Sequence, residues 1–383
     1  MGLSDAFARS AARHAHALVV ETPGFFRTRA AVERAVLDRG WSLAFSPADA
    51  DVLVVCGVAG RRLGEAVELV WHQMPGPRVR LAVLEHDDVA PGLDEAYADL
   101  LDTGHHRHDA QQRCTAAALL ARQTGDGDEG SDGGHGDNEG HGGHEGHGGH
   151  EGHGGHEGHG DMDMSPGGIP LAQGGEDRDG LEMDVLNVRL GPVLPYWPAG
   201  FVLRCSLQGD VIGEAQGELV DGSPHEDPED TGPARRMDNI ASVLALAGWE
   251  AAAANARRIR DAALETGNEP GGVPLTRLSR KVRRSWLLRW SLRGLRSLSE
   301  EEVHQRGLPA EAVGDTHDRL LGMLERAVAG ASTDLGATYS AHHVADLVSG
   351  LDLATARLVV ASLDIQGLRT EHAEHVEHGA SRG

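Results

Sequence analysis

Apolar residues in the first ninety positions fall into two alternating rhythms. Ala17 to Glu21 is a short apolar run closed by Thr22-Pro23-Gly24, and Asp51 to Gly57, reading Asp-Val-Leu-Val-Val-Cys-Gly, is an unbroken one. Short runs bounded by turn residues predict strands, and the unbroken run predicts a parallel strand buried on both faces. Arg27 to Arg39 places Ala31, Val32, Ala35 and Val36 at helical spacing, Gly64 to Gln73 reads as a second helix, and Arg78 to Leu84 as the next strand. This alternation predicts an α/β domain over residues 1–123, built on a doubly wound parallel sheet of the flavodoxin-like kind. Its ligand side would lie at the carboxyl ends of the strands.

The rhythm changes in the second half. Phe201, Leu203, Cys205 and Leu207 alternate onto one face, and Gln208-Gly209-Asp210 supplies a turn to a second strand. Arg235 to Glu265 is alanine-rich, with a stripe through Ile240, Val243, Leu244 and Ala247, and predicts one long helix. Residues 181–370 are therefore expected to form an α+β domain, a β-hairpin with mainly helices, followed by an acidic, histidine-bearing tail at 371–383.

Between the halves both rhythms vanish. His141, His144, His147, His150, His153, His156 and His159 recur every third residue, and everything between them is Gly or Glu. With no apolar residue between His141 and His159 and maximal glycine entropy there, 124–180 is expected to be a disordered linker. Neutral imidazole binds zinc, nickel and copper, so the seven histidines with Glu145, Glu151 and Glu157 are candidate ligands for weakly held Zn, Ni or Cu; the competing reading is a soluble tether grown by repeat expansion. His105-His106-Arg107-His108, beside Asp102 and Asp109, offers further donors but no complete tetrahedral set, and reads as a polar loop between helices.

Charge changes the picture twice. The net charge of −24 is concentrated: Asp126 to Asp184 holds 16 acidic residues against Arg178 alone, a net of −15. No broad basic face remains for nucleic acid. The opposite extreme is Arg277 to Arg296, with eight basic residues and no acidic one, interleaved with Leu278, Trp286, Leu287, Leu288, Trp290, Leu292 and Leu295. Such a stretch predicts either a surface for a membrane or an acidic partner, through Arg283, Arg284, Trp286, Arg289, Trp290 and Arg293, or a helix with its tryptophans in the core. Aromatics make up only 4% of the chain, so the cores must be built of Leu, Val and Ala. Three isolated cysteines argue against a disulfide framework. No run is long enough to span a bilayer and no apolar h-region opens the sequence, so a cytoplasmic protein is expected.

Several words of the sequence resemble a known family. Ser46-Pro47-Ala48-Asp49-Ala50-Asp51, the apolar strand Val52 to Val55, Gly57, a helix and the turn Met74-Pro75-Gly76-Pro77 resemble the small, iron–sulfur-bearing (20 kDa-like) subunit shared by respiratory complex I and nickel–iron hydrogenases. Leu190-Gly191-Pro192-Val193-Leu194-Pro195 and the hairpin after it resemble, more weakly, the amino-terminal part of the partner large (49 kDa-like) subunit. In the small-subunit family the turn after the first strand and the segment after the third bear cluster cysteines. Here those places read Thr22-Pro23-Gly24-Phe25-Phe26 and Glu85-His86-Asp87-Asp88, and Leu194 stands where the large-subunit turn has histidine. Cys56 and Cys205 lie inside strands and read as core residues, so neither an iron–sulfur cluster nor a nickel–iron centre is expected.

The resemblance then implies a non-catalytic scaffold subunit of a membrane-associated assembly. Its partners would be antiporter-like membrane subunits and other soluble subunits, and it would lie peripheral to the inner face of the cell membrane. Two other readings follow from the same residues: an NADH-quinone oxidoreductase-like subunit whose redox centres a partner chain completes, and a His-rich metal-binding or storage protein.

Overall fold

The short apolar runs do form the first sheet. In the computed structural model, which describes residues 3–112, 173–176, 182–221, 231–267, 272–330 and 337–369, β1 (His16–Glu21), β2 (Ser42–Leu43), β3 (Val52–Cys56) and β4 (Val79–Val83) lie parallel in the order β2-β1-β3-β4. All five residues of β3 are buried, as its unbroken apolar run requires. Besides α1 (Leu3–Ala12), the first half contains α2 (Phe26–Asp38), α3 (Arg61–Gln73), α4 (Val89–Leu100) and α5 (Thr103–Gln112). Val32 and Val36 of α2 and Leu93 and Ala96 of α4 share one core with Val52, Val54 and Cys56. Leu63, Val67 and Val70 of α3 pack with Leu53 and Val55, which alternate to the opposite face.

The predicted hairpin belongs to a larger sheet. β5 (Gln173–Glu176), β6 (Glu182–Leu190), β7 (Phe201–Gln208) and β8 (Val211–Leu219) lie in sequence order, with β6, β7 and β8 antiparallel. Residues 173–176, expected within the linker, thus form a strand beside β6. Phe201, Leu203, Cys205 and Leu207 are all buried, as their alternation predicts. Val202 from the other face, with Val220, enters the core beneath α3. The elements on either side of the histidine repeat therefore share a hydrophobic core, and they fall in one compact unit.

The long helix expected over Arg235 to Glu265 is two helices, α6 (Gly232–Leu246) and α7 (Glu250–Thr266). Gly248 adopts φ +78°, the Gly248 N–H donates to the Ala245 carbonyl and the Trp249 N–H donates to that of Leu244. This is the paired-bond helix stop that glycine permits, and it overrides the helix propensity of the flanking alanines. Beyond it lie α8 (Gly272–Arg284), α9 (Trp286–Leu292), α10 (Glu300–Gln305), α11 (Thr316–Ala329), α12 (Ala341–Val348) and α13 (Leu353–Ser362), with a parallel pair of strands, β9 (Ala337–Ser340) and β10 (Ile365–Arg369). Among the described residues no helix is long and apolar enough to cross a membrane.

Candidate functional site

Among the described residues, two regions of concentrated charge are built differently. The first lies where β1 and α2 meet α6 and α7. Arg29, one turn into α2, directs its Nε to Glu21 Oε2 at 2.5 Å, its Nη2 to Asp238 Oδ2 at 2.5 Å and its Nη1 to Glu33, one helical turn on. Arg260 of α7 reaches Glu33 Oε2 at 2.7 Å, Asp238 Oδ1 at 2.5 Å and its neighbour Asp261 at 2.8 Å. Arg235 approaches Glu21 Oε1 at 3.4 Å and covers the buried Phe26 ring, its guanidinium carbon 4.3 Å from the centroid.

Burial alone would raise the Asp238 and Glu33 carboxyls, but Arg29 and Arg260 overcome it and hold both below the ordinary carboxylate range. Asp261 behaves oppositely, because burial outweighs its single arginine partner. The lattice forms part of the wall of a cavity of about 960 Å³ that is also lined by Pro23, Gly24, Leu194, Tyr196 and Arg257. The turn after the first strand and the turn carrying Leu194, two of the three places at which the family resemblance expects functional residues, thus face one space. No described cysteine lines it. Cys56 and Cys205 are buried, and burial pushes both thiols up, away from the thiolate that ligation needs. Arg257, itself buried, gives Nη2 to Glu250 and leaves Nε and Nη1 without hydrogen-bond partners.

Other sequence candidates are dispersed or engaged. Glu85 to Asp88 is exposed, at an edge away from that cavity. His105, His106 and His108 lie on α5 and not in a loop. Asp102 caps that helix by accepting from the Gly104 and His105 N–H groups, which lower its carboxyl, and Asp109 pairs with Arg78 at 3.0 Å. The capping aspartate ahead of the histidines was the readable signal for a helix. The repeat His141 to His159, Cys114 and the 371–383 tail lie outside the described residues.

A cluster that the sequence did not single out is Asp315, His317 and Asp318, whose donor atoms lie within 4.8 Å of one another. Asp315 and Asp318 form the reciprocal cap of α11, and Asp315 also accepts from the Gly294 N–H at 2.8 Å. Burial lowers the His317 imidazole, the two aspartates raise it, and Arg289 and Arg293 lower it again. Two arginines and the positive end of a helix oppose a cation there.

The second region is α8 and α9. Leu275, Leu278 and Val282 of α8 and Leu288 and Leu292 of α9 are buried against α6, α7 and α11, so the basic residues between them must point outward. Trp286 and Trp290 point outward too, 77% and 76% exposed, with Leu287 at 57%. Arg283 pairs with Glu325 at 2.7 Å. Arg277, Arg280, Lys281, Arg284, Arg289 and Arg293 have no carboxylate partner among the described residues. Arg277, Arg280, Lys281 and Arg284 border, with Trp249 and Ser285, a shallow hollow of about 500 Å³, where Lys281 Nζ sits 5.1 Å from the Trp249 ring centroid. Comparison of the chain with protein-family models, with curated proteins and with solved structures gives no match.

Proposed function

We propose that this protein is a non-catalytic scaffold subunit of a membrane-associated assembly related to complex I and the nickel–iron hydrogenases. It docks on antiporter-like membrane subunits at the inner face of the cell membrane. The observation that carries this reading is the outward face of α8 and α9, where unpaired cations surround two exposed tryptophans on an otherwise acidic chain. Cations left without carboxylates, beside aromatic rings left in water, are what an anionic surface or an acidic partner would cover.

The cavity supports the non-catalytic part. Where the resembling family holds thiolates and a histidine, this chain has Thr22 to Phe26 and Leu194, and arginines already satisfied by carboxylates stand next to them. The parallel strand order β2-β1-β3-β4, with helices on both faces, supports a flavodoxin-like reading of this sheet, in keeping with the small-subunit resemblance.

Charge reversal tests the reading. The variant R283E/R284E/R289E/R293E is expected to remain folded and to leave the membrane fraction of its native cell. Full retention of the folded variant on membranes defeats the docking role. Iron and acid-labile sulfide analysis of the anaerobically purified assembly tests the other half, because a stoichiometric cluster bound to this chain would make it an oxidoreductase subunit.

A further inference from the structure

The hollow bordered by Trp249, Arg277, Arg280, Lys281 and Arg284 has a chemistry more specific than general docking. The four cations fall at i, i+3, i+4 and i+7 of α8, so they form one stripe along one face of the helix. Like charges four residues apart destabilise a helix. Favourable interaction with a helix C-terminus accounts for Lys281 and Arg284, in the last turn, but not for Arg277 or Arg280.

Some exposed arginines elsewhere in the fold are neutralised by carboxylates. Arg61 has Glu65 at 2.9 Å, and Arg204 has Glu218 at 2.9 Å. Among the described residues the stripe has no such partner, and Lys281 lies over the Trp249 ring. A group of donors converging on a concavity, without acceptors of their own, suits a phosphate with its several acceptor oxygens.

The surroundings select the carrier of that phosphate. Directly after the stripe the chain presents Trp286, Leu287 and Trp290 to solvent. Trp rings favour the boundary between headgroups and acyl chains, where an apolar body and a polar N–H are both accommodated. A nucleic acid would need an extended basic track, whereas this chain is strongly acidic and the cations of the stripe border one shallow hollow.

We propose that the hollow between Trp249 and α8 binds the phosphodiester headgroup of an anionic phospholipid, while Trp286, Leu287 and Trp290 enter the membrane interface beside it. The proposal rests on the docking reading above and names the partner that the face meets.

Flotation of the full chain with liposomes tests it. Vesicles of phosphatidylcholine containing phosphatidylglycerol are expected to carry the protein, and pure phosphatidylcholine vesicles to leave it behind. R280E/K281E should weaken binding by about tenfold or more, since each basic residue contributes about a factor of five at an anionic surface. The charge-matched control R61E/R107E, on the opposite half of the sequence, should bind as wild type does. W286A/W290A should lose the part of the binding that survives high salt.

Equal binding to both vesicle types overturns the headgroup site, as does an R280E/K281E variant that binds normally. Displacement by inorganic phosphate at concentrations that leave other electrostatic binding intact would identify a free-phosphate site and overturn the lipid assignment. Tighter binding to duplex DNA than to the anionic vesicles would do the same in favour of nucleic acid. A protein that stays on native membranes yet ignores phosphatidylglycerol vesicles loses the lipid site and keeps its docking role. A protein that binds the vesicles but is soluble in its own cell keeps the site and loses the proposed function.

Discussion

Arginine serves two opposite purposes in this molecule. At the junction of β1, α2, α6 and α7, Arg29 and Arg260 are buried and each meets three carboxylates. On α8 and α9 six cations stand in water with none. A buried charge is tolerated only when paired and hydrogen-bonded, so the junction had to be completed from within the chain. An exposed charge carries no such obligation, and an unpaired group of them is free for a partner. The same residue type therefore marks architecture in one region and recognition in the other, and burial tells the two apart.

Removing one member of each region should separate them most sharply. Arg29→Met leaves Glu21, Glu33 and Asp238 facing one another in a buried site, and is expected to cost about 3–5 kcal/mol. R280E is expected to stay within about 0.5 kcal/mol of wild type. Urea unfolding near neutral pH gives both values, and equal midpoints for the two variants would erase the distinction.

Acid provides the next largest effect. Glu33 and Asp238 are held below their ordinary values of 4.5 and 3.8, so their folded forms release protons more readily than the unfolded chain. Their contribution is complete above those values and is lost as pH falls through them toward the folded values, at most about 1.4 kcal/mol per group per pH unit. A D238N variant should show a flatter acid limb than wild type. Neutralising two cations that have no carboxylate partner among the described residues, in R280Q/K281Q, should leave the limb's shape unchanged.

A smaller effect concerns how the lattice is assembled. Asp238 on α6 and Arg260 on α7 meet because the chain reverses at Gly248, where no neighbouring atom would touch an added Cβ. Gly248→Ala should therefore cost only the left-handed backbone penalty, about 1–2 kcal/mol. A larger loss would mean that the reversal is coupled to the ion lattice. The smallest change is expected for W286A/W290A, within about 0.5 kcal/mol of wild type, because neither ring is packed. A thermal shift of several degrees would return the tryptophans to the core.

β1, β3 and β4 of the first sheet were legible because each declares itself locally, whereas the two-residue β2 carries no such run. Val52 to Cys56 needs only its own apolar run to be read as central, and Phe201, Leu203, Cys205 and Leu207 need only their alternation. The break at Gly248 was legible in principle, but alanine propensity on both sides masked it. The ion lattice was not. Arg29 and Glu33 are four apart and look like an ordinary surface pair, while the partners that bury them lie more than two hundred residues away. The basic patch was visible as charge, yet sequence alone left the side of Trp286 and Trp290 undecided. Leu288 and Leu292 settle that by occupying the core-facing positions of the same short helix. The separate pair of β9 and β10 escaped because their pairing joins segments on either side of two helices.

The distance across the lattice also has a meaning during synthesis. Arg260 lies 227 residues after Glu33, with the histidine repeat made in between. At about 5–20 residues per second, β1 and α2 wait on the order of ten to forty seconds for the arginine that completes their charge balance. For most of that interval the nascent chain also lacks Val202 and Val220, which finish the core beneath α3. The first hundred residues therefore emerge from the ribosome as an unfinished half, and their native packing becomes complete only after translation has passed the repeat.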